Sequence, residues 1–147
     1  MSGLLEVLDA CRQISDLVAG INTTFLNVPE TEPTSAMLPM TITRYDTEQR
    51  GTLTMFGLEE WHHPVEQVLL VRRLGNRAGE DAEVMPYLLS LIAQYRSHVN
   101  LLGSNRAIVN NVEYQIGPFS FFNVDYWGAS LHFQVYEAIE VQAQISA

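Results

Sequence analysis

The sequence contains no lysine and its basic side chains are 8 arginines, against 17 aspartates and glutamates, so the formal charge is −9 at pH 7. Nucleic-acid affinity comes mainly from clustered cationic side chains that displace counterions. The one basic cluster is Arg72, Arg73 and Arg77. Three arginines do not form a phosphate-binding groove, so we expect no specific nucleic-acid binding, although DNA could pass such an acidic surface without adhering to it.

Cysteine and long apolar runs are also scarce. Cys11 is the single cysteine, which excludes an intrachain disulfide and a thiolate metal cluster. Its spacing from Leu8, Ile14 and Leu17 predicts a buried thiol. The first residues lack the pattern of a signal peptide, and no stretch is long enough to cross a bilayer. We therefore expect a soluble protein made in a reducing compartment.

Motifs for catalysis and cofactor binding are missing as well. The sequence has no Gly-x-Ser-x-Gly nucleophile motif and no glycine-rich phosphate loop followed by lysine. The carboxylates Glu80, Asp81 and Glu83 are explained as favourable charges near the N-terminus of a helix. We accordingly predict no catalytic residue, no cofactor and no bound metal.

What is present is a normal apolar fraction with few charges. Of the 147 residues, 47% are hydrophobic and 17% charged, which predicts one domain with a single core and little charge to cover its surface. A surface poor in charge but supplied with aromatic residues, methionine and arginine is typical of the centre of a subunit interface. The alternative is a monomer with a mildly apolar surface.

The periodicity of apolar residues predicts a helix over residues 4–21, an exposed loop at about 27–37 and a hairpin of strands 38–45 and 52–56 with Gly51 near its turn. A connection over 57–64 leads to a strand over 65–74 that is apolar on both faces, and therefore central or covered by another subunit. After a turn, a second helix covers 81–102, with Pro86 in its first turn or at a kink and Gly103 at its end.

The last third predicts strands over 107–116 and 129–141, with a turn at Gly117-Pro118 and an aromatic stretch over 119–127 between them. In the final strand, Leu131, Phe133, Val135, Ile139 and Val141 share one face, His132, Gln134, Tyr136 and Glu140 share the other, and Glu137 interrupts the pattern. The order of helix, three strands, helix, and two or three strands predicts an α+β fold. Its sheet is mostly antiparallel, with both helices packed on one face.

Two segments could carry chemistry. Glu59, Glu60, Trp61, His62 and His63 place two carboxylates beside two imidazoles in a predicted loop, and such groups can bind zinc or act as acid and base. Adjacent histidines generally point apart, however, and a further ligand would have to come from His98 or His132. A small metal-dependent enzyme that uses this loop is therefore an alternative function, but not the favoured one. The aromatic run that includes Phe119, Phe121, Phe122, Tyr126 and Trp127 favours sheet core or a subunit contact over a ligand pocket or base stacking.

The order of elements resembles the tail terminator and tail completion proteins of long-tailed bacteriophages, which are minor tail proteins. The resemblance covers most of the chain. It includes the first helix, the proline-containing loop, the strands, the second helix and two closing motifs, Val-Glu-Tyr-Gln-Ile-Gly at 112–117 and Tyr-Trp-Gly-Ala-Ser-Leu-His-Phe at 126–133. The histidine-rich segment and the missing lysines depart from that family, and a neck or tail-tube protein could show the same pattern.

The resemblance implies a structural protein of the virion tail or neck, made in the host cytoplasm, without enzymatic activity. Several copies, typically six, would form a ring that caps the tail tube, stops its polymerisation and joins it to the head connector. The partners implied are other copies, the tail tube protein and the connector protein, with DNA passing through the lumen and no membrane involved. The interface residues we single out are Glu30, Glu32, Glu59, Glu60, Trp61, His62, His63, Arg72, Arg73 and Arg77; the alternative for each is an ordinary solvated position.

Overall fold

A computed structural model describes residues 3–55, 58–101 and 107–140. Within these ranges the chain forms two helices and six strands, an α+β fold as predicted. In chain order they are α1 (Leu4–Asp16), β1 (Thr23–Leu26), β2 (Met40–Tyr45), β3 (Thr52–Met55), β4 (Leu58–Arg73), α2 (Asp81–Ser97), β5 (Ala107–Phe121) and β6 (Val124–Glu140).

The strands form one sheet in the order β1-β2-β4-β6-β5, and β3 pairs with β4 along the same edge that β2 uses. Only β1 and β2 are parallel; the other pairs are antiparallel, which confirms the prediction of a mostly antiparallel sheet. Strand β1 was not expected from the sequence. It is four residues long and follows the turn at Gly20, whose φ of 90° favours glycine.

Both helices pack on the same face of the sheet, as predicted. The buried side chains of α1 and α2 join those of β4, β5 and β6 in one hydrophobic cluster. The helix ends differ from the prediction. The first helix ends at Asp16 and not at residue 21, yet Val18 and Ile21 still pack on the cluster, so the apolar spacing continues through a turn. The second ends at Ser97 because residues 99–101 leave it to pair with β5.

The predicted hairpin of residues 38–45 and 52–56 is wrong. Strands β2 and β3 do not pair with each other; they lie one after the other along β4, with Tyr45 opposite Val65 and Thr52 opposite His62. A strand of 16 residues is long enough to pair with two short strands in line. Residues 46–51 therefore connect two strands on one edge and not the two arms of a hairpin.

Two other predicted boundaries are also wrong. Residues 59–63 were predicted as a loop but belong to β4, which begins at Leu58. The turn predicted at Gly117-Pro118 lies inside β5, where the proline is tolerated because β5 is an edge strand. The turn is at Phe122 and Asn123 instead, whose φ values of 56° and 59° fit the two-residue turn that matches strand twist.

The other sheet face carries a second cluster. Met40, Ile42, Val68, Leu70 and Tyr126 are buried there. Phe119, Phe121 and Val124 pack against them, with Met37 at the end of the loop at 27–37 and Leu38 directly after it. Because β4 contributes to both clusters, the prediction that it is a central strand apolar on both faces is confirmed. Pro86 lies in the second turn of α2, and Gly103 falls outside the described residues.

Candidate functional site

The five residues at 59–63 are divided between the two faces of the sheet, because side chains alternate along a strand. Glu60 and His62 lie on the face opposite the helices, where His62 Nε2 is 2.6 Å from Glu60 Oε1 and its ring stacks on Tyr136 at 3.9 Å. Trp61 and His63 lie on the helix-covered face. The strand therefore does not bring this set together as one metal site.

His63 has its own partner, which the sequence analysis did not identify. Its Nε2 lies 3.2 Å from Glu137 Oε1, and Glu137 is only 1% exposed. Glu137 interrupts the apolar pattern of β6 but shares the buried face with Leu131, Phe133 and Val135. The side chains of residues 139–141 lie outside the described part. The carboxylate and the imidazole face one another in the interior because Glu137 lies diagonally across from His63 in the β4–β6 pairing.

A second polar group occupies the opposite face. Asp46, Glu66 and His132 place their ligand atoms within 4.8 Å of one another, and in the described part of the chain no other three such residues do so. His132 Nδ1 is 2.8 Å from Asp46 Oδ2, and Nε2 is 3.6 Å from Glu66 Oε2. Arg44 also donates to Glu66. The donors would suit a cation, but the two carboxylates already have partners, since Asp46 bonds to the His132 ring and Glu66 accepts from Arg44.

The same group includes a serine. Ser130 Oγ lies 3.2 Å from His132 Nε2, so serine, histidine and Asp46 follow the order of a hydrolytic triad. A nucleophile must reach its substrate, and Ser130 is 1% exposed. We therefore interpret this arrangement as a structural hydrogen-bond network.

The three clustered arginines each bind a carboxylate of this chain. Arg72 and Arg77 both donate to Glu83 of α2, at 3.0 Å and 3.2 Å, and Arg73 donates to Glu32 at 3.0 Å. The bond from Arg72 is the main reason that the pKa of Glu83 falls to about 2. The cluster thus fastens α2 and the loop at 27–37 to the end of β4. Glu30 is exposed on that loop.

The aromatic run serves the interior, as predicted for sheet core. Phe119, Phe121 and Tyr126 belong to the second cluster, and Trp127 packs against the first. The Trp127 Nε1–H donates to the carbonyl of Glu80 at 2.9 Å. Cys11 is also buried as predicted, and burial raises the pKa of its thiol to about 12, so it is not a reactive thiolate at neutral pH.

An exposed stretch of mixed polar and apolar residues lies on β5, and it was not expected from the sequence. Residues 111–115 are exposed in succession, with Val112 and Tyr114 among them. Beside them a groove of about 350 Å³ runs between α2 and β5 and is lined by Ile92, Val99 and Arg96. Residues 99–101 pair with the first residues of β5, and among the described residues no segment covers the edge from Asn110 to Phe121.

A comparison with models of protein families finds none that matches the chain, and a comparison with curated proteins finds no match either. In the described residues, neither helix has the length and apolar character needed to cross a membrane.

Proposed function

We propose that this chain is a structural subunit that assembles with other copies into a ring, expected to contain six, which caps the tail tube of a long-tailed bacteriophage. The ring stops tube polymerisation and joins the tail to the head connector. The phage tail follows from the family resemblance of the sequence. The assembly rests on one structural observation, the uncovered edge of β5 beside an apolar groove.

An uncovered sheet edge presents unpaired N–H and C=O groups to which another chain can add. Proteins that remain monomeric usually shorten such edges or place charges on them. In β5 the uncovered part is long, and Tyr114 is 55% exposed within it. This edge also carries Glu113, a bulge between Asn110 and Glu113, and Pro118, which all oppose pairing. A neighbouring strand would therefore pair only between the bulge and the proline.

The opposite edge of the sheet supplies the second half of such a contact. Strand β3 is exposed along its whole length, and its Met55 is 66% exposed. When the β5 edge of one copy meets the β3 edge of the next, the contact is heterologous, and heterologous contacts close into a ring when the rotation between copies permits. The charge of −9 per copy suits a lumen through which DNA passes without adhering.

The alternative within the same class is another neck subunit or a tail-tube subunit. A heterologous contact that does not close produces a filament. Electron microscopy of the protein with terminator-deficient tails separates these cases, because a terminator forms rings at tail ends, whereas a tube subunit extends the tube.

The β5 contact is tested by Tyr114→Lys, with Leu89→Lys as the matched control. Both side chains are about equally exposed, at 55% and 56%, but Leu89 lies on α2 and does not line the groove. Lysine on an edge strand opposes pairing. We expect Tyr114→Lys to abolish rings in sedimentation and microscopy, and Leu89→Lys to keep them. The proposal would be contradicted if both variants assembled equally well, or if the wild-type protein stayed monomeric and did not bind to tails.

A further inference from the structure

The sheet edges formed by β3 and β5 run in opposite directions. Strand β3 is antiparallel to β4, β4 to β6, and β6 to β5, so β3 and β5 point opposite ways within one copy. Two copies placed side by side in the same orientation therefore bring β5 of one copy antiparallel to β3 of the next. The helices of both copies then lie on the same side of the joined sheet, as a ring of repeated copies requires.

The faces of the two edge strands are fixed by their partners within the chain. On β5, Tyr114 and Ile116 lie on the helix-covered face, because they pair with two residues of the first cluster, Leu131 and Ala129. Side chains that are directly opposite one another in an antiparallel pair share a face of the sheet. On β3, Leu53 lies on the helix-covered face because it pairs with Trp61, and Met55 follows two residues later on the same face.

We infer that β3 of one copy pairs with residues 114–117 of the next, with Met55 opposite Tyr114 and Leu53 opposite Ile116. This inference rests on the proposed assembly of copies but not on its place in a phage tail. Strand β3 has four residues, and the segment between the bulge and Pro118 has five. A shift of one residue would place side chains of opposite faces together, and a shift of two would extend the pairing into the bulge or the proline.

This register brings together apolar side chains that are exposed in the single chain. Tyr114 is 55% exposed and Met55 is 66% exposed, and each covers the other in the joined sheet. Beside them, Ile116 packs on Leu53. Leu53 and Trp61 line a cleft of about 400 Å³, so the neighbouring copy also closes the outer side of this cleft.

Charges on the two edges are complementary in the same register. Arg96 lines the groove beside Tyr114, and Glu59 is directly opposite Met55 in the pairing of β3 with β4. Within the described part of the chain, neither side chain has an ion pair or a hydrogen bond. Glu59 lies two strands away from β5 of the neighbour, about 10 Å, which the two long side chains span together. Exposed ion pairs add little energy, so this pair contributes to the choice of partner and register.

Disulfide trapping tests the register. Gln115→Cys with Thr54→Cys places two cysteines directly opposite one another on the polar face, at a distance that a disulfide accepts, and leaves the apolar contacts intact. Gln115→Cys with Thr52→Cys is the matched control, because it shifts one cysteine by two residues along the same strand. The two positions lie on opposite edges of the sheet, so a bond between them joins two copies. Cys11 is buried and remains in every variant.

We expect mild oxidation to link the first variant into a ladder of covalent oligomers and the control into few or none. Rings that form while the control links as well as the first variant, or better, would overturn the register and leave the ring function standing. A wild-type protein that sediments as a monomer would overturn both.

Charge reversal tests the side-chain contact separately. Arg96→Glu and Glu59→Arg should each weaken association roughly fivefold, the upper end for an exposed ion pair, and the double variant should restore it. Circular dichroism confirms that each variant is folded. A double variant that associates no better than the single ones would overturn the placement of Glu59 beside Arg96.

Discussion

At the scale of single residues, Gly128 lies where β6 approaches β4 too closely for a side chain. A Cβ atom at this position would overlap the main-chain carbonyl of Leu69. Its cross-strand neighbour on the other side, Gly117 of β5, has open space where a Cβ would be. The two glycines are adjacent in one sheet, yet only Gly128 is required for strand packing.

We predict that Gly128→Ala lowers the free energy of unfolding by about 1–3 kcal/mol, because the main chain must move to admit the methyl group. Gly117→Ala is the control and should change stability little. Urea denaturation followed by tryptophan fluorescence measures both. Equal free energies of unfolding for the two variants would contradict this prediction, because they would mean that β4 and β6 can move apart at Gly128 without loss of stability.

Gln67 shows why single buried polar residues are hard to predict. It lies in the apolar centre of β4 and is fully buried. Its amide N–H groups donate to Thr43 and to the carbonyl of Cys11, and its carbonyl accepts from Tyr95. Periodicity predicts that position 67 faces the interior. It cannot supply the three partners, because they come from three different elements that only the fold brings together.

At the scale of elements, both helices and the strand that is apolar on both faces could be predicted, because the spacing of apolar residues can be read directly from the sequence. The pairing of strands could not be predicted, because it depends on contacts between distant segments. Strands β2 and β3 are separated by a short polar segment that suits a hairpin, but both obtain more pairing from the long neighbouring strand. The prediction of a loop at 59–63 failed for a related reason. The side chains there are mostly polar, but the segment forms a strand because β3 and β6 pair with it on both sides.

The docking of α2 on β4 depends on pH through Glu83. Arg72 lowers the pKa of Glu83 from an ordinary value of 4.5 to about 2, mainly through their hydrogen bond. Since the folded-state pKa is the lower one, the pair stabilises the fold fully above pH 4.5 and loses this effect as the pH falls to about 2. Both side chains are partly exposed, so added salt screens the interaction.

We predict that Glu83→Gln is less stable than the wild type at neutral pH and that the difference shrinks as the pH falls from 4.5 to about 2. Thermal unfolding across this pH range measures the difference. Asp81→Asn, in the same helical turn, makes the same change in charge without removing the Arg72 partner. A stability difference for Glu83→Gln that persists unchanged to pH 2 would contradict this account.

At the scale of the whole molecule, the interface residues expected from the sequence differ from the surfaces that the fold exposes. Arg73 and Glu32 were both selected as interface residues, but they pair with each other within the chain. The exposed segment at 111–115 and the cleft beside Trp61 were not selected. The exposed segment depends on which strand lies at the edge of the sheet, and the cleft depends on which side chains meet across neighbouring strands. Composition and periodicity specify neither of these features.

Assembly of a chain this acidic has a definite dependence on salt. Each copy carries a formal charge of −9, so neighbouring copies repel one another, whereas main-chain hydrogen bonds and the apolar side chains Val112 and Tyr114 supply most of the attraction in the proposed contact at β5. Salt shortens the range of the repulsion but leaves those attractions nearly unchanged. We predict that ring formation, measured by sedimentation, strengthens between about 20 mM and about 300 mM sodium chloride, as the screening length falls below the spacing of the subunits. Rings held together by ion pairs would instead weaken over this range. That outcome would move the interface from β5 to the charged loop at 27–37 and its arginine neighbours.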